Sequence, residues 1–241
     1  MQKLLAILLL YIVITSTHAQ WRRVSGSLKH VSASVNYLWG VNRQNNIYKC
    51  ARPCTGRWTR VTGSLTQIDA GDEEVWGVNA RHQIFKRPAD GSGHWQCIPG
   101  GLKHVSASGN GYIWGVSSGN AIYKCKKPCW GQWSRVSGSL KQIDAGHDYV
   151  YGVSTSNTIY ALPVNGAGSW RRIPGSLKHV TGSGRAEVFG VNTRNQIFRC
   201  KKPCIGEWEQ ISGGLMQCDA TFDSLVGVNT GHQIYHRPTG I

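Results

Sequence analysis

Residues 58–94 read WTRVTGSLTQIDAGDEEVWGVNARHQIFKRPADGSGH. Close copies begin at Trp21, Trp95, Trp133, Trp170 and Trp208, at steps of 37 or 38 residues. A period of this length marks a stacked repeat, in which one unit cannot bury its apolar face without its neighbours. Within the first unit, residues 21–24, 28–33, 38–41 and 47–50 form short apolar runs separated by Gly, Ser and Asn-rich stretches. Such runs, rich in β-branched and aromatic residues, predict strands, and no segment holds a 3.6-residue period long enough for a three-turn helix. Four strands in each of six units predict an all-β fold, a six-bladed β-propeller of four-stranded antiparallel blades.

A second period overlies the first. Units one, three and five share Leu-Lys-His, at 28–30, 102–104 and 177–179, and a Cys-x-x-Pro-Cys turn. Units two, four and six carry Gln, an apolar residue and Asp instead, at Gln67/Asp69, Gln142/Asp144 and Gln217/Asp219. Paired blades with approximate threefold symmetry follow from this alternation. The tryptophan strand is either the innermost of its own blade or the outermost of the one before. Residues 21–24 completing the sixth blade would close the ring, and this arrangement is the expected one.

The units 21–57, 58–94, 95–132, 133–169, 170–207 and 208–241 fill a single domain, 20–241. Before it, residues 1–19 have a short basic start, an apolar run and small residues at Thr17 and Ala19, the pattern of a secretory signal peptide rather than a transmembrane span. Formal charge is +15 for the whole chain, and removal of that leader takes away Lys3 and no acid, leaving +14. A basic, exported chain favours anionic glycans, lipopolysaccharide phosphates or a cell or egg coat, and argues against nucleic acid. No Asn-x-Ser/Thr sequon is present.

Of eight cysteines, six make local pairs, Cys50/Cys54, Cys125/Cys129 and Cys200/Cys204. At a fixed offset in an exported chain these read as disulfides rather than zinc ligands. Cys97 and Cys218 occupy the places of Arg60 and Val180 in other units. By count they offer a fourth bond, yet the fold does not obviously bring them within the ~7 Å Cα separation that a disulfide tolerates.

The glycine after the third-strand aromatic recurs at Gly40, Gly77, Gly115, Gly152, Gly190 and Gly227, which predicts close backbone approach. Its preceding residues, Trp39, Trp76, Trp114, Tyr151, Phe189 and Val226, read as core.

The motif Trp-x-x-(Val/Ile)-x-Gly-x-Leu-x-x-(Val/Ile)-x-Ala, then aromatic-Gly-Val-(Asn/Ser) and Ile-(Tyr/Phe), resembles the tectonin repeat. Residues 20–241 are similar to the fish-egg lectins, themselves related to a horseshoe-crab lectin that recognises bacterial lipopolysaccharide. The resemblance implies a secreted, multivalent lectin for N-acetylglucosamine-type sugars and bacterial surface glycans, active in eggs or innate defence, with storage in egg granules and homo-oligomers open. It implies no required cofactor and allows calcium. Val226, Met216 and Cys218 depart from the pattern, so the sixth unit is expected to bind ligand poorly.

Candidate sugar contacts follow the third strand: Asn42, Asn79, Asn192 and Asn229, with Ser117 and Ser154 as variants, then Arg43, Arg81, Arg194, His82 and His232. Each asparagine equally fits a turn residue bonded to its own backbone. Asp69, Asp144 and Asp219 divide between strand-end acceptors and ligand or metal contacts. Lys29, Lys103 and Lys178 are expected to pair with those aspartates, and Arg52, Arg87, Lys126, Lys127, Lys201, Lys202 and Arg237 to form a basic rim. No catalytic residues are predicted, since no zinc-protease, P-loop or nucleophile-elbow motif occurs. The rival readings are a protein-interaction propeller in an egg coat or extracellular fluid, and a glycan-processing enzyme with a carboxylate or metal cluster in its channel.

Overall fold

The computed structural model describes residues 20–107 and 110–239; the expected leader lies outside them. Among the described residues the chain is all strand, in six four-stranded antiparallel sheets, and no helix is long and apolar enough to cross a membrane. The first strand, β1 (Arg22–Ser27), is set aside for the last blade. Blade I is β2 (His30–Ala33), β3 (Tyr37–Val41), β4 (Asn46–Ala51) and β5 (Thr59–Ser64). Blade II is β6 (Gln67–Ala70), β7 (Glu74–Val78), β8 (Ile84–Pro88) and β9 (Gln96–Ile98). Blade III is β10 (His104–Ser106), β11 (Tyr112–Val116), β12 (Ala121–Lys126) and β13 (Ser134–Ser139). Blade IV is β14 (Gln142–Ala145), β15 (Tyr149–Val153), β16 (Thr158–Pro163) and β17 (Arg171–Ser176). Blade V is β18 (His179–Thr181), β19 (Glu187–Val191), β20 (Gln196–Lys201) and β21 (Glu209–Gly214). Blade VI is β22 (Gln217–Ala220), β23 (Ser224–Val228) and β24 (Gln233–Pro238), completed by β1.

Each tryptophan strand is therefore the outermost strand of the preceding blade, and blades run out of phase with the tryptophan-led units. The first strands of neighbouring blades touch in sequence around the axis, β22 meeting β2 to finish the circle. Closure by β1 against β24, with Arg22 opposite His236 and Val24 opposite Ile234, is as expected.

The repeated residues explain the packing. Apolar clusters form between blades: Trp39, Val41 and Ile47 of blade I meet Ile68 and Val75 of blade II across Val61 and Leu65. Gly40 lies under Leu28, and a Cβ there would come within 2.9 Å of the His30 carbonyl. Close approach is thus why this position carries no side chain. At the outer rim, the unit-leading indoles tie each outermost strand to the one before. Trp95 Nε1 donates to Thr62 O at 2.8 Å, beside Gly63 at φ +117°, and Trp21 Nε1 donates to Ser212 O at 2.6 Å, closing the belt. The other four indoles do the same, to Ser25, Pro99, Ser137 and Pro174 carbonyls.

Cys50–Cys54, Cys125–Cys129 and Cys200–Cys204 are disulfides, each joining the end of a third strand to the following turn. The fourth bond open by count is not formed. Cys97 is exposed on the outermost strand β9, whereas Cys218 is buried on the innermost strand β22. Rim and axis of a propeller are too far apart for disulfide geometry.

Candidate functional site

Side chains one and three of each innermost strand share a face, and here that face is the axis. Going round the ring, position one is His30, Gln67, His104, Gln142, His179 and Gln217. Position three is Ser32, Asp69, Ser106, Asp144, Thr181 and Asp219. The sequence alternation between units thus becomes two stacked layers in one channel.

The glutamines bind blades together. Gln142 Nε2 donates to Val180 O at 2.8 Å and its Oε1 accepts from Val180 N at 3.1 Å. Gln67 treats Val105, and Gln217 treats Val31, in the same way. Aspartates reinforce the same boundaries: Asp69, Asp144 and Asp219 accept from Ala107, Gly182 and Ala33 amides at 2.6, 2.7 and 2.8 Å. Across the alternate boundaries Ser32, Ser106 and Thr181 hydroxyls accept from Ala70, Ala145 and Ala220 amides.

The three aspartates also converge, with one carboxylate oxygen from each lying within 4.8 Å of the others. Burial raises all three carboxyls; mutual repulsion adds to the rise at Asp69 and Asp219, taking Asp219 to about 7. At 4% exposure these side chains are too deep to touch a sugar at a loop edge, which corrects that part of the sequence reading. They do suit a hard cation. Calcium takes oxygen donors, six to eight in general, and these carboxylates with neighbouring hydroxyls supply oxygen alone.

The expected lysine–aspartate pairs are absent among the described residues. Lys29, Lys103 and Lys178 donate instead to the side-chain oxygens of Asn45, Asn120 and Asn195, and Lys141 donates to Asn157. The linker residues Arg52, Lys127 and Lys202 turn back over the aspartate end of the channel. Lys127 Nζ donates to Ala107 O at 2.9 Å, Lys202 Nζ to Gly182 O at 2.8 Å and Arg52 to Ser34 O at 2.9 Å. Arg87 bonds the Ser92 and Gly93 carbonyls, and Arg237 stacks on Trp21, so only Lys126 and Lys201 of that set stand exposed.

The asparagines that follow the second strand of their blades, β3, β7, β19 and β23, are spent on their own turns. Asn42 Oδ1 accepts from the Gln44 and Asn46 amides, Asn192 Oδ1 from Arg194 and Gln196, and Asn79 and Asn229 bond likewise. Ser117 and Ser154 accept from Ala121 and Thr158 amides. His82 and His232 hold φ of +64° and +61°, and their carbonyls accept from Leu102 and Leu28 of the next blade. Arg43, Arg81 and Arg194 point outward, exposed.

One inter-blade crevice combines an aromatic wall with polar side chains, and a second boundary repeats several of its residues. Between blades III and IV a cavity of about 430 Å³ is lined by Trp170, Lys124, Arg135, Ser137, Gly168 and Ser169. Trp170 meets the buried Trp114 edge-on at 6.4 Å, and Trp114 Nε1 donates to Val164 O at 3.0 Å. Lys124 reaches the Asn165 carbonyl at the start of the glycine-rich loop 165–168. Blades I and II repeat part of the arrangement: Trp95 meets Trp39 at 6.2 Å, Trp39 bonds Ala89 O, Lys49 reaches the Asp90 carbonyl of loop 90–93, and the Arg87 guanidinium stands over the Trp95 ring at 5.5 Å. At the third equivalent boundary, V to VI, Arg199 replaces the lysine and is held by Glu187 and Glu209. Sequence reasoning missed the crevices because their parts come from different units. The available signal was the shared Gly-x-Gly of 91–93 and 166–168, two units apart.

A tectonin domain model matches residues 10–162 and 89–241. Lectin L6 of Tachypleus tridentatus is 58% identical over 35 residues, 14% of this chain and 16% of that protein's length. Among solved structures, human WBSCR16 superposes with a TM-score of 0.62 at 8% identity, over 89% of this chain and 77% of that one. Prp20p from Saccharomyces cerevisiae gives 0.60 at 9%, over 87% and 71%. At such identities the likeness is one of fold alone.

Proposed function

The chain belongs to the tectonin family, and from that premise we propose that it is a secreted, non-enzymatic lectin for N-acetylglucosamine-type sugars and bacterial surface glycans such as lipopolysaccharide. The observation that carries the reading is the crevice between blades III and IV, whose tryptophan pair and lysine recur between blades I and II. Trp170 offers an indole for the apolar face of a pyranose, with Arg135, Ser137 and Ser169 beside it to bond hydroxyls and the acetamido group, and Trp95 repeats that indole with the Arg87 guanidinium 5.5 Å from its ring centroid. Binding requires no group that changes its bonding, which suits recognition rather than turnover. The V–VI boundary, where two glutamates engage the basic residue, is assigned no sugar.

Calcium fits the channel in a supporting role. Asp69, Asp144 and Asp219 would hold it, and it would supply the positive charge that three converging carboxylates lack. Its effect on the crevices would be indirect, through the rigidity of the innermost strands.

Titration of 15N-labelled protein with N-acetylglucosamine tests the proposal. The indole resonances of Trp95 and Trp170 should shift and saturate together, while those of Trp133 and Trp208 stay fixed. Arg135→Ala should weaken the Trp170 response and leave Trp95 unchanged. Two unmoved crevice indoles, in the presence of this sugar and of lipopolysaccharide, would refute the assignment.

A further inference from the structure

We propose that His30, His104 and His179 form a site for one divalent transition ion of the zinc class, on the propeller axis and separate from the carboxylates. The three rings stand edge to face, with centroids 6.2, 6.3 and 6.4 Å apart and interplanar angles of 69°, 62° and 61°. One nitrogen from each lies within 4.8 Å of the other two. Zn–N bonds of about 2.0–2.1 Å place nitrogens roughly 3.4 Å apart, so small ring rotations bring them in.

All six ring nitrogens are shielded from solvent and have no hydrogen-bond partner among the described residues. Buried polar atoms are almost always satisfied, so six together call for an explanation. The glutamines of the same layer do not provide one: each amide is turned to the next blade's valine and none bonds a ring nitrogen. Three imidazoles with one open axial position are the donor set of many zinc sites.

The surroundings set the charge state. Burial first, then nearby lysines and the other rings, depress the histidines, His30 to about 4 and His104 to about 3, so all are neutral ligands at pH 7. Lys29, Lys103, Lys141 and Lys178 flank the layer on one side and oppose a cation. Asp69, Asp144 and Asp219 lie two residues along the strands on the other side, about 7 Å away, and favour one. No acceptor among the described residues orients the second nitrogen of each ring, and outer-shell support is worth about 10–100-fold in affinity. The site is therefore weaker than a fully supported one by about that factor.

The test titrates the chain carrying Cys97→Ser, so that the exposed thiol does not compete, with Co2+ and Zn2+ in turn. One equivalent of Co2+ should produce visible d–d bands of a four-coordinate nitrogen–oxygen site with no thiolate charge transfer, and Zn2+ should bleach them. Excess Ca2+ should leave them unchanged. His104→Phe should cost more than about 100-fold in Zn2+ affinity, exceeding the outer-shell range, while N-acetylglucosamine still shifts the Trp95 indole as a check on folding. If that variant does not fold, His30→Phe replaces it. Absence of the bands in the unmutated triad, their loss to Ca2+, or full Zn2+ affinity in a folded histidine variant would each overturn the proposal.

Discussion

His104 and Asp219 sit one layer apart on the same axis, and burial drives them in opposite directions. A histidine lowered on folding binds protons better when unfolded, so it makes stability rise with pH from about 3 at His104 and about 4 at His30 to the unfolded pKa near 6.5. A carboxyl raised to about 7 binds protons better when folded, so it makes stability fall over the window from about 4 to about 7. The two sets oppose one another in the absence of bound metal. Calcium would cancel the carboxylate contribution by stabilising the ionised form. The gain in unfolding free energy between pH 4.5 and pH 7 should therefore be larger in calcium than in EDTA, as measured by urea titration. His104→Phe should shrink that gain by up to about 1.4 kcal/mol per pH unit below the unfolded pKa. A gain unaffected by calcium would remove the carboxylates from the argument.

The innermost strands are short, three or four residues, and hold the ring through side chains rather than a continuous ladder. Gln142 shows how. Its amide substitutes for a neighbouring strand by meeting both the amide and the carbonyl of Val180. Gln142→Ala leaves both buried backbone groups unpaired, at about 1–3 kcal/mol each, and should lower the urea midpoint accordingly. Gly152→Ala tests the adjacent contact: its Cβ would lie 2.9 Å from the Gln142 carbonyl and closer still to Leu140, so a loss of about 1–3 kcal/mol is expected. Both variants should retain the crevice indole response once folded. Strand number, glycine placement and ring closure were legible from the tryptophan-led period, because each is repeated in every unit. The histidine and aspartate layers were half legible. Their alternation was visible, but its meaning depends on which strand is innermost, and the sequence favours the outer address of the tryptophan strand only through the argument that residues 21–24 close the ring. The turn asparagines could not be assigned from repetition, because a residue that serves its own backbone repeats as faithfully as one that serves a ligand.

At the scale of the whole molecule, the charge of +15 has to be placed before it can be used. The linkers carry little of it outward, since Arg52, Lys127 and Lys202 are turned onto carbonyls at the channel mouth and only Lys126 and Lys201 of the expected rim stand exposed. The outermost strands do. Arg22 and Arg23 on β1, Arg60 on β5, Arg135 on β13, and Arg171 and Arg172 on β17 are exposed, whereas β9 and β21 contribute Gln96, Glu209 and Gln210. The positive perimeter is thus interrupted at blades II and V. A neutral sugar in a crevice feels little of this field, but phosphate groups spread over a bacterial surface face it at distances comparable to the screening length, roughly 8–10 Å near physiological ionic strength. Affinity for intact lipopolysaccharide should accordingly fall with added salt more steeply than affinity for N-acetylglucosamine. Arg22→Ser with Arg23→Ser should flatten the first dependence and leave the second alone, both read by titration across a salt series. Equal slopes for the two ligands would show that the perimeter serves solubility, and that any recognition of lipopolysaccharide is confined to the crevices.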